Sequence, residues 1–212
     1  MHFSEFITRA ATHYNDLNIP NVLTILRVVA IPFFIVALAY KHNGIALAIF
    51  FGCGVTDGLD GFIARTYHQR TSIGAFLDPL ADKLLLTSSF ITLFLLDLPN
   101  KLPLWLLVTV ISRDIIISVG VAALYIVGTP IRIAPSKTGK FTTFLQVFLL
   151  IVVLFYNYKG VSRPHLILSL CWLTFAATVI SGVGYLYQGI RFLNLDLEES
   201  QDDSLPDSHD DT

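Results

Sequence analysis

GIALAIFFGCGVTDGLDGFIA, residues 44–64, stays apolar almost without interruption as far as Val55 and then admits two carboxylates, Asp57 and Asp60. A helix needs about 20 mostly apolar residues to cross the hydrocarbon core of a bilayer, and this segment meets that length. Working outward, about 21–40, 75–96, 103–127, 141–158 and 165–187 meet it too. The separators are short and carry breaker or turn residues, as in Lys41-His42-Asn43, Leu98-Pro99-Asn100 and Arg163-Pro164-His165. Lipid offers backbone groups no water, so a span must be a helix or a barrel strand, and these runs are too long for barrel strands. The sequence therefore predicts an all-α, polytopic membrane protein with six transmembrane helices in one domain over 19–192.

Composition agrees. Of 212 residues, 54% are hydrophobic and 14% charged, against about a quarter charged in soluble domains. The net charge of −2 excludes a generic basic nucleic-acid binder. It is also a sum of unlike parts: all eight acids beyond residue 195 face no Lys or Arg there, whereas the body before them is basic. Segment 193–212 reads as an acidic, disordered cytoplasmic tail. At the other end, Phe3, Phe6, Ile7, Ala10, Ala11 and Tyr14 recur at helical spacing, which predicts an amphipathic interfacial helix over 1–18. Cys53 and Cys171 lie in separate apolar segments and define no disulfide framework.

Basic residues set the orientation. Arg9, Arg65, Arg70, Arg132, Lys137, Lys140 and Arg191 fall on one set of connections, and Lys41, Lys101, Lys159 and Arg163 on the other. The richer set, with both termini, is expected in the cytoplasm.

Acids inside membrane segments are costly and usually functional. Asp57 and Asp60 are three residues apart, and Asp78 and Asp82 four apart, so each pair shares a helical face. A short loop lets the two faces meet near the cytoplasmic surface. Converging carboxylates repel unless something positive lies among them, and hard oxygen donors suit Mg²⁺, Mn²⁺ or Ca²⁺ better than zinc. Gly58, Gly61, Ala64 and Gly74 remove bulk beside the acids. Ion pairs with Arg65, Arg70 and Lys83 would also hold the acids, but do not explain why glycines and acids recur together.

The run Asp57-Gly58-x-Asp60-Gly61-x2-Ala64-Arg65-x8-Gly74-x3-Asp78-x3-Asp82 resembles the signature of the CDP-alcohol phosphatidyltransferase family at every defining position. The six-helix pattern extends the likeness over about 20–190. The resemblance implies that Asp57, Asp60, Asp78 and Asp82 hold two divalent cations, Mg²⁺ or Mn²⁺. It implies that Gly58, Gly61 and Ala64, with Arg65, border the nucleotide of CDP-diacylglycerol, that Gly74 serves the CDP-lipid, and that Asp82 is also the general base on the acceptor hydroxyl. A homodimer in a bacterial inner (cell) membrane is implied as well.

Other features bear on the acceptor. Asn21-x2-Thr24-x2-Arg27 resembles the opening of the phosphatidylglycerophosphate synthase and cardiolipin synthase branches, which implies that Asn21 and Thr24 serve the CDP-lipid. On residues alone the motif puts three polar groups on one face of the first span; the alternative is a helix entry with a snorkelling Arg. Ser112-Arg113-Asp114 is either a self-neutralising pair or a forked phosphate partner. Arg132, Lys137 and Lys140 form either an anion pocket or a positive-inside anchor. Ser136-x2-Gly139-Lys140 with Thr143-x2-Gln146 resembles the glycerophosphate-using branch, although Thr142 stands where that branch often has a second Lys. The Ser-Arg-Asp triplet resembles the cardiolipin synthases, which use phosphatidylglycerol. The expected reaction is transfer to sn-glycerol 3-phosphate; the alternatives are cardiolipin synthesis or, from another class, divalent-cation transport.

Overall fold

The computed structural model describes residues 19–67, 72–126 and 137–202, with side chains described for 22–57, 80–120 and 138–187. Among the described residues the chain forms six helices and no strand: α1 (Ile19–Ala39), α2 (Asn43–Tyr67), α3 (Ser72–Leu95), α4 (Leu104–Ile126), α5 (Lys137–Lys159) and α6 (Pro164–Asp202). Each expected span coincides with one helix. α5 begins earlier than expected and α6 runs past 187 to Asp202, so the boundary at 193 is no break in secondary structure. Between Pro164 and Pro206 α6 meets no proline, and Leu, Gln and Glu are good helix formers. The expected interfacial helix over 1–18 and the tail beyond 202 lie outside the described residues.

Local chemistry ends the helices where they end. At the close of α1, His42 N–H donates to the carbonyl of Ala37 and Lys41 N–H to that of Leu38, with Lys41 in the left-handed region at φ 60°. That is a Schellman cap, and Lys41 occupies its usual glycine position. α5 closes the same way on Gly160, φ 64°, with Val161 N–H donating to Tyr156 O. Pro164 then opens α6, where its missing N–H costs nothing.

Three helices are long and apolar enough to cross a membrane: Val22–Ala39, Thr138–Lys159 and Pro164–Tyr187. Only 28% of the first and last are buried, so their exposed faces carry residues such as Leu26, Phe33, Val36, Trp172, Ile180 and Val183. Soluble monomers rarely expose continuous apolar surface on that scale. The chain is a membrane protein.

The described residues form two compact units, one of those up to Leu107 with Gln146–Cys171, the other of those within 108–145 with those from Trp172 to Asp202. In the first, α1 packs on both α2 and α3. Phe34, Leu38, Phe50, Phe90, Leu149 and Leu154 fill its core, and the Phe34 and Phe50 rings meet at 6.0 Å between centroids. Gly44 lets the Tyr158 ring approach closely, because a Cβ there would lie 2.9 Å from that ring and push it aside.

Polar residues close one end of this unit. Asn157 Oδ1 accepts from Asn100 N (2.9 Å) and Asn100 Nδ2 (3.2 Å), and Asn157 Nδ2 donates to Asn100 O (2.9 Å). Asn100 also donates to Val161 O and accepts from Arg163 N, while Asn43 Nδ2 donates to Asn157 O. Both asparagines of the clasp are buried. Asn157→Leu takes the partner from two polar atoms of Asn100, its N–H and its carbonyl oxygen, each costing about 1–3 kcal/mol when left without one, while Nδ2 keeps Val161 O. We expect a loss of about 2–4 kcal/mol, read as a lowered melting temperature in detergent; an unchanged melting temperature would show that the clasp contributes nothing. The exposed Asp97 lies nearby in sequence, where the hydrogen bond from Lys101 (3.0 Å) holds its carboxyl below the usual range.

Candidate active site

Asp57, Gly58, Asp60, Gly61, Ala64 and Arg65 lie in the C-terminal part of α2, and Gly74, Asp78 and Asp82 in the N-terminal part of α3. The helical backbone places Asp57 with Asp60, and Asp78 with Asp82, about one turn apart. Of the four carboxylates, the side chains of Asp57 and Asp82 are described, and one cation joins them. Arg27 of α1 places Nη2 3.1 Å from Asp57 Oδ1 and Nη1 2.5 Å from Asp82 Oδ1. The Arg27 side chain is 1% exposed, whereas those of Asp57 and Asp82 are 50% and 41% exposed. The guanidinium thus reaches both acids from the buried side, and each acid keeps accessible surface.

The burial of Arg27 goes against the alternative reading of its motif, a snorkelling helix-entry residue. Arg27 lies inside the bundle and bridges α2 and α3. One signal in the sequence pointed to this: α1 carries no acid between 19 and 39, so a buried Arg there must find its counter-charge on another helix. Thr24, one turn earlier, is fully buried. Pro32, a turn later, cannot donate to the carbonyl of Val28. The side chains of Asn21, Gly58, Asp60, Gly61, Ala64, Arg65, Gly74 and Asp78 lie outside the described set.

These residues suit a divalent cation. The donors are hard carboxylate oxygens, with two acids already converging on one positive group in Arg27's guanidinium. Among the described residues no three His, Cys, Asp or Glu come together; the side chains of Asp60 and Asp78 are not in that set.

The second unit holds the expected acceptor residue Arg113. Its side chain is 7% exposed; Nη1 contacts Asp114 Oδ1 at 2.8 Å and Nη2 donates to Ser181 Oγ at 3.2 Å. The Tyr185 ring lies 5.8 Å from its guanidinium carbon, and its Nε has no partner among the described residues. The self-neutralising pair is therefore present. Lys140 is exposed near the start of α5, Lys137 opens that helix with its side chain outside the described set, and Arg132 lies outside the described residues. Thr142 is buried, its hydroxyl 2.9 Å from Thr138 O and 3.0 Å from Ala177 O. It ties α5 to α6, a place where a Lys would bury an ammonium.

A cavity of about 740 Å³ opens between Gly44–Phe51 of α2 and Ile151–Tyr158 of α5. Its lining is apolar and aromatic, and it holds none of the acids above.

Comparison with known proteins matches residues 17–183 to the CDP-alcohol phosphatidyltransferase family. The chain is 35% identical over 183 residues to a "probable phosphatidylglycerophosphate synthase" of Mycobacterium tuberculosis, covering 82% of each. It is 33% identical over 185 residues to a "CDP-diacylglycerol--glycerol-3-phosphate 3-phosphatidyltransferase" of Bacillus subtilis, covering 79% of this chain and 93% of that one. A protein of the same name from Haemophilus influenzae is 40% identical over 139 residues, 63% of this chain and 73% of the other.

Proposed function

Because the chain belongs to the CDP-alcohol phosphatidyltransferase family, we propose that it transfers the phosphatidyl group of CDP-diacylglycerol to a hydroxyl of sn-glycerol 3-phosphate, forming phosphatidylglycerophosphate and releasing CMP. The observation that carries this reading is the activity for which relatives at 33–40% identity are named. The convergence of Asp57 and Asp82 on one cation adds chemical support. Family membership sets aside the transporter alternative.

Asp57, Asp60, Asp78 and Asp82 would hold two divalent cations, Mg²⁺ or Mn²⁺. When bound, such ions neutralise a pyrophosphate and stabilise charge as its anhydride bond breaks. Gly58, Gly61 and Ala64, with Arg65, border the cytidine nucleotide; Gly74, Asn21 and Thr24 complete the CDP-lipid side. Asp82 takes the proton from the acceptor hydroxyl at a carboxylate oxygen. The acceptor oxygen attacks the lipid-bearing phosphorus, and CMP leaves with the other phosphate. Arg132, Lys137 and Lys140, together with Arg113, bind the phosphate of the acceptor. All six helices span the membrane, with the acids and both termini on the cytoplasmic side of a bacterial inner membrane, and the working unit is a homodimer.

The test is CMP release by purified protein given CDP-diacylglycerol, Mg²⁺ or Mn²⁺, and one acceptor at a time. Release with sn-glycerol 3-phosphate, abolished by chelation and restored by added cation, is the expected result. Release with phosphatidylglycerol alone would reassign the protein to cardiolipin synthesis.

A further inference from the structure

We propose that Arg27 is the positioning residue of the acidic site: from beneath, it sets the spacing and orientation of Asp57 and Asp82 for the cation they hold. This rests on the metal-dependent reading above and adds a residue that the signature does not contain.

Location argues first. Arg27 lies within the apolar segment Val22–Ala39, where a guanidinium is expensive. A long side chain near a helix end can lower that cost by snorkelling to the interface, yet Arg27 is 2% exposed. Its placement is repaid by contacts on two other helices, Asp57 of α2 and Asp82 of α3. Those two residues begin and end the acidic run, so Arg27 touches it at both extremes.

Shape argues next. A guanidinium is planar, and its two terminal nitrogens keep a fixed separation. Nη1 donates to Asp82 Oδ1 and Nη2 lies at ion-pair distance from Asp57 Oδ1, so a rigid group spans the two carboxylates. A lysine ammonium would supply the charge without that fixed spacing.

Charge argues third. Two carboxylates held close would repel; the buried guanidinium against both offsets that repulsion. Both acids remain about half exposed on their other side. Groups that orient metal ligands from behind commonly change metal affinity by 10–100-fold when removed. Arg27 acts through Asp57 and Asp82, so its effect should appear in cation binding before any substrate is present.

The experiment uses the purified full chain in lipid nanodiscs, without CDP-lipid, titrated with Mn²⁺ and followed by electron paramagnetic resonance. Wild type should bind Mn²⁺; Arg27→Gln should bind about tenfold or more weakly, and Arg27→Lys should fall between them. In the assay, raising Mn²⁺ should recover much of the activity of Arg27→Lys, with the acceptor KM little changed. A folded Arg27→Gln protein that binds Mn²⁺ as tightly as wild type would overturn the proposal and leave Arg27 a structural tie between helices. Wild type that binds no Mn²⁺ would overturn the metal reading itself, and this role with it. Should Arg27→Gln not fold, Arg27→Lys, which keeps a cation at this position, decides the case: Mn²⁺ affinity equal to that of wild type overturns the proposal.

Discussion

Asp82→Asn should abolish measurable transfer, lowering CMP release by about 10²–10⁴-fold from the lost proton acceptor and further from the lost cation ligand. Asparagine keeps the volume of aspartate, and its side-chain oxygen can still accept from Arg27. The change is therefore close to a deletion of charge and basicity alone, and Asp57 still supplies the buried Arg27 with a counter-charge, so the protein should remain folded. Asp57→Asn is the informative comparison. If Asp57 only holds cations, raising Mn²⁺ should return part of its activity, whereas Asp82→Asn should gain little at any Mn²⁺ concentration. Asp97→Asn, at an exposed carboxylate paired with Lys101, should leave turnover unchanged. Near-normal turnover of purified Asp82→Asn would remove Asp82 from the chemistry.

Arg113→Leu should have the largest effect on stability. The Arg113 side chain is 7% and that of Asp114 14% exposed, so the substitution leaves a mostly buried carboxylate without the cation beside it. Breaking a buried pair from one side costs about 3–5 kcal/mol, chiefly through the charge left behind. Ser181 loses a hydrogen bond and Tyr185 a cation over its ring at the same time. Replacing both members, Arg113→Leu with Asp114→Leu, should recover most of the loss, because no charge then remains buried. Unfolding in detergent, followed by near-ultraviolet circular dichroism, compares the three proteins. A single variant as stable as wild type, with only the KM for glycerol 3-phosphate raised, would mean that Arg113 serves the acceptor and that its pairing matters little.

Much of the architecture was legible because membrane helices are specified locally. A run such as 141–158 must satisfy its own backbone hydrogen bonds wherever its neighbours lie, so hydropathy alone located six helices to within a few residues. Boundaries were less exact at the α6 end, where a helix continues into polar sequence that contains no breaker. The acidic pairs were equally legible, since a separation of three or four residues puts two side chains on one helical face regardless of tertiary structure.

Arg27, the Asn100–Asn157 clasp and Thr142 were not legible in the same way. Arg27 lies 55 residues from Asp82 in the chain, and Asn100 lies 57 from Asn157. Each is a lone polar group in or beside an apolar run, compatible with snorkelling, hydration or pairing until its neighbour is known. The sequence by itself determined an all-helical membrane protein of this family and the faces on which its acids lie. Only the tertiary structure decided which buried cation holds Asp57 and Asp82 and which amides close the opposite end of α2. Helical periodicity reports which residues share a face of one helix; how that face is rotated toward the next depends on packing between helices, which no local spacing encodes.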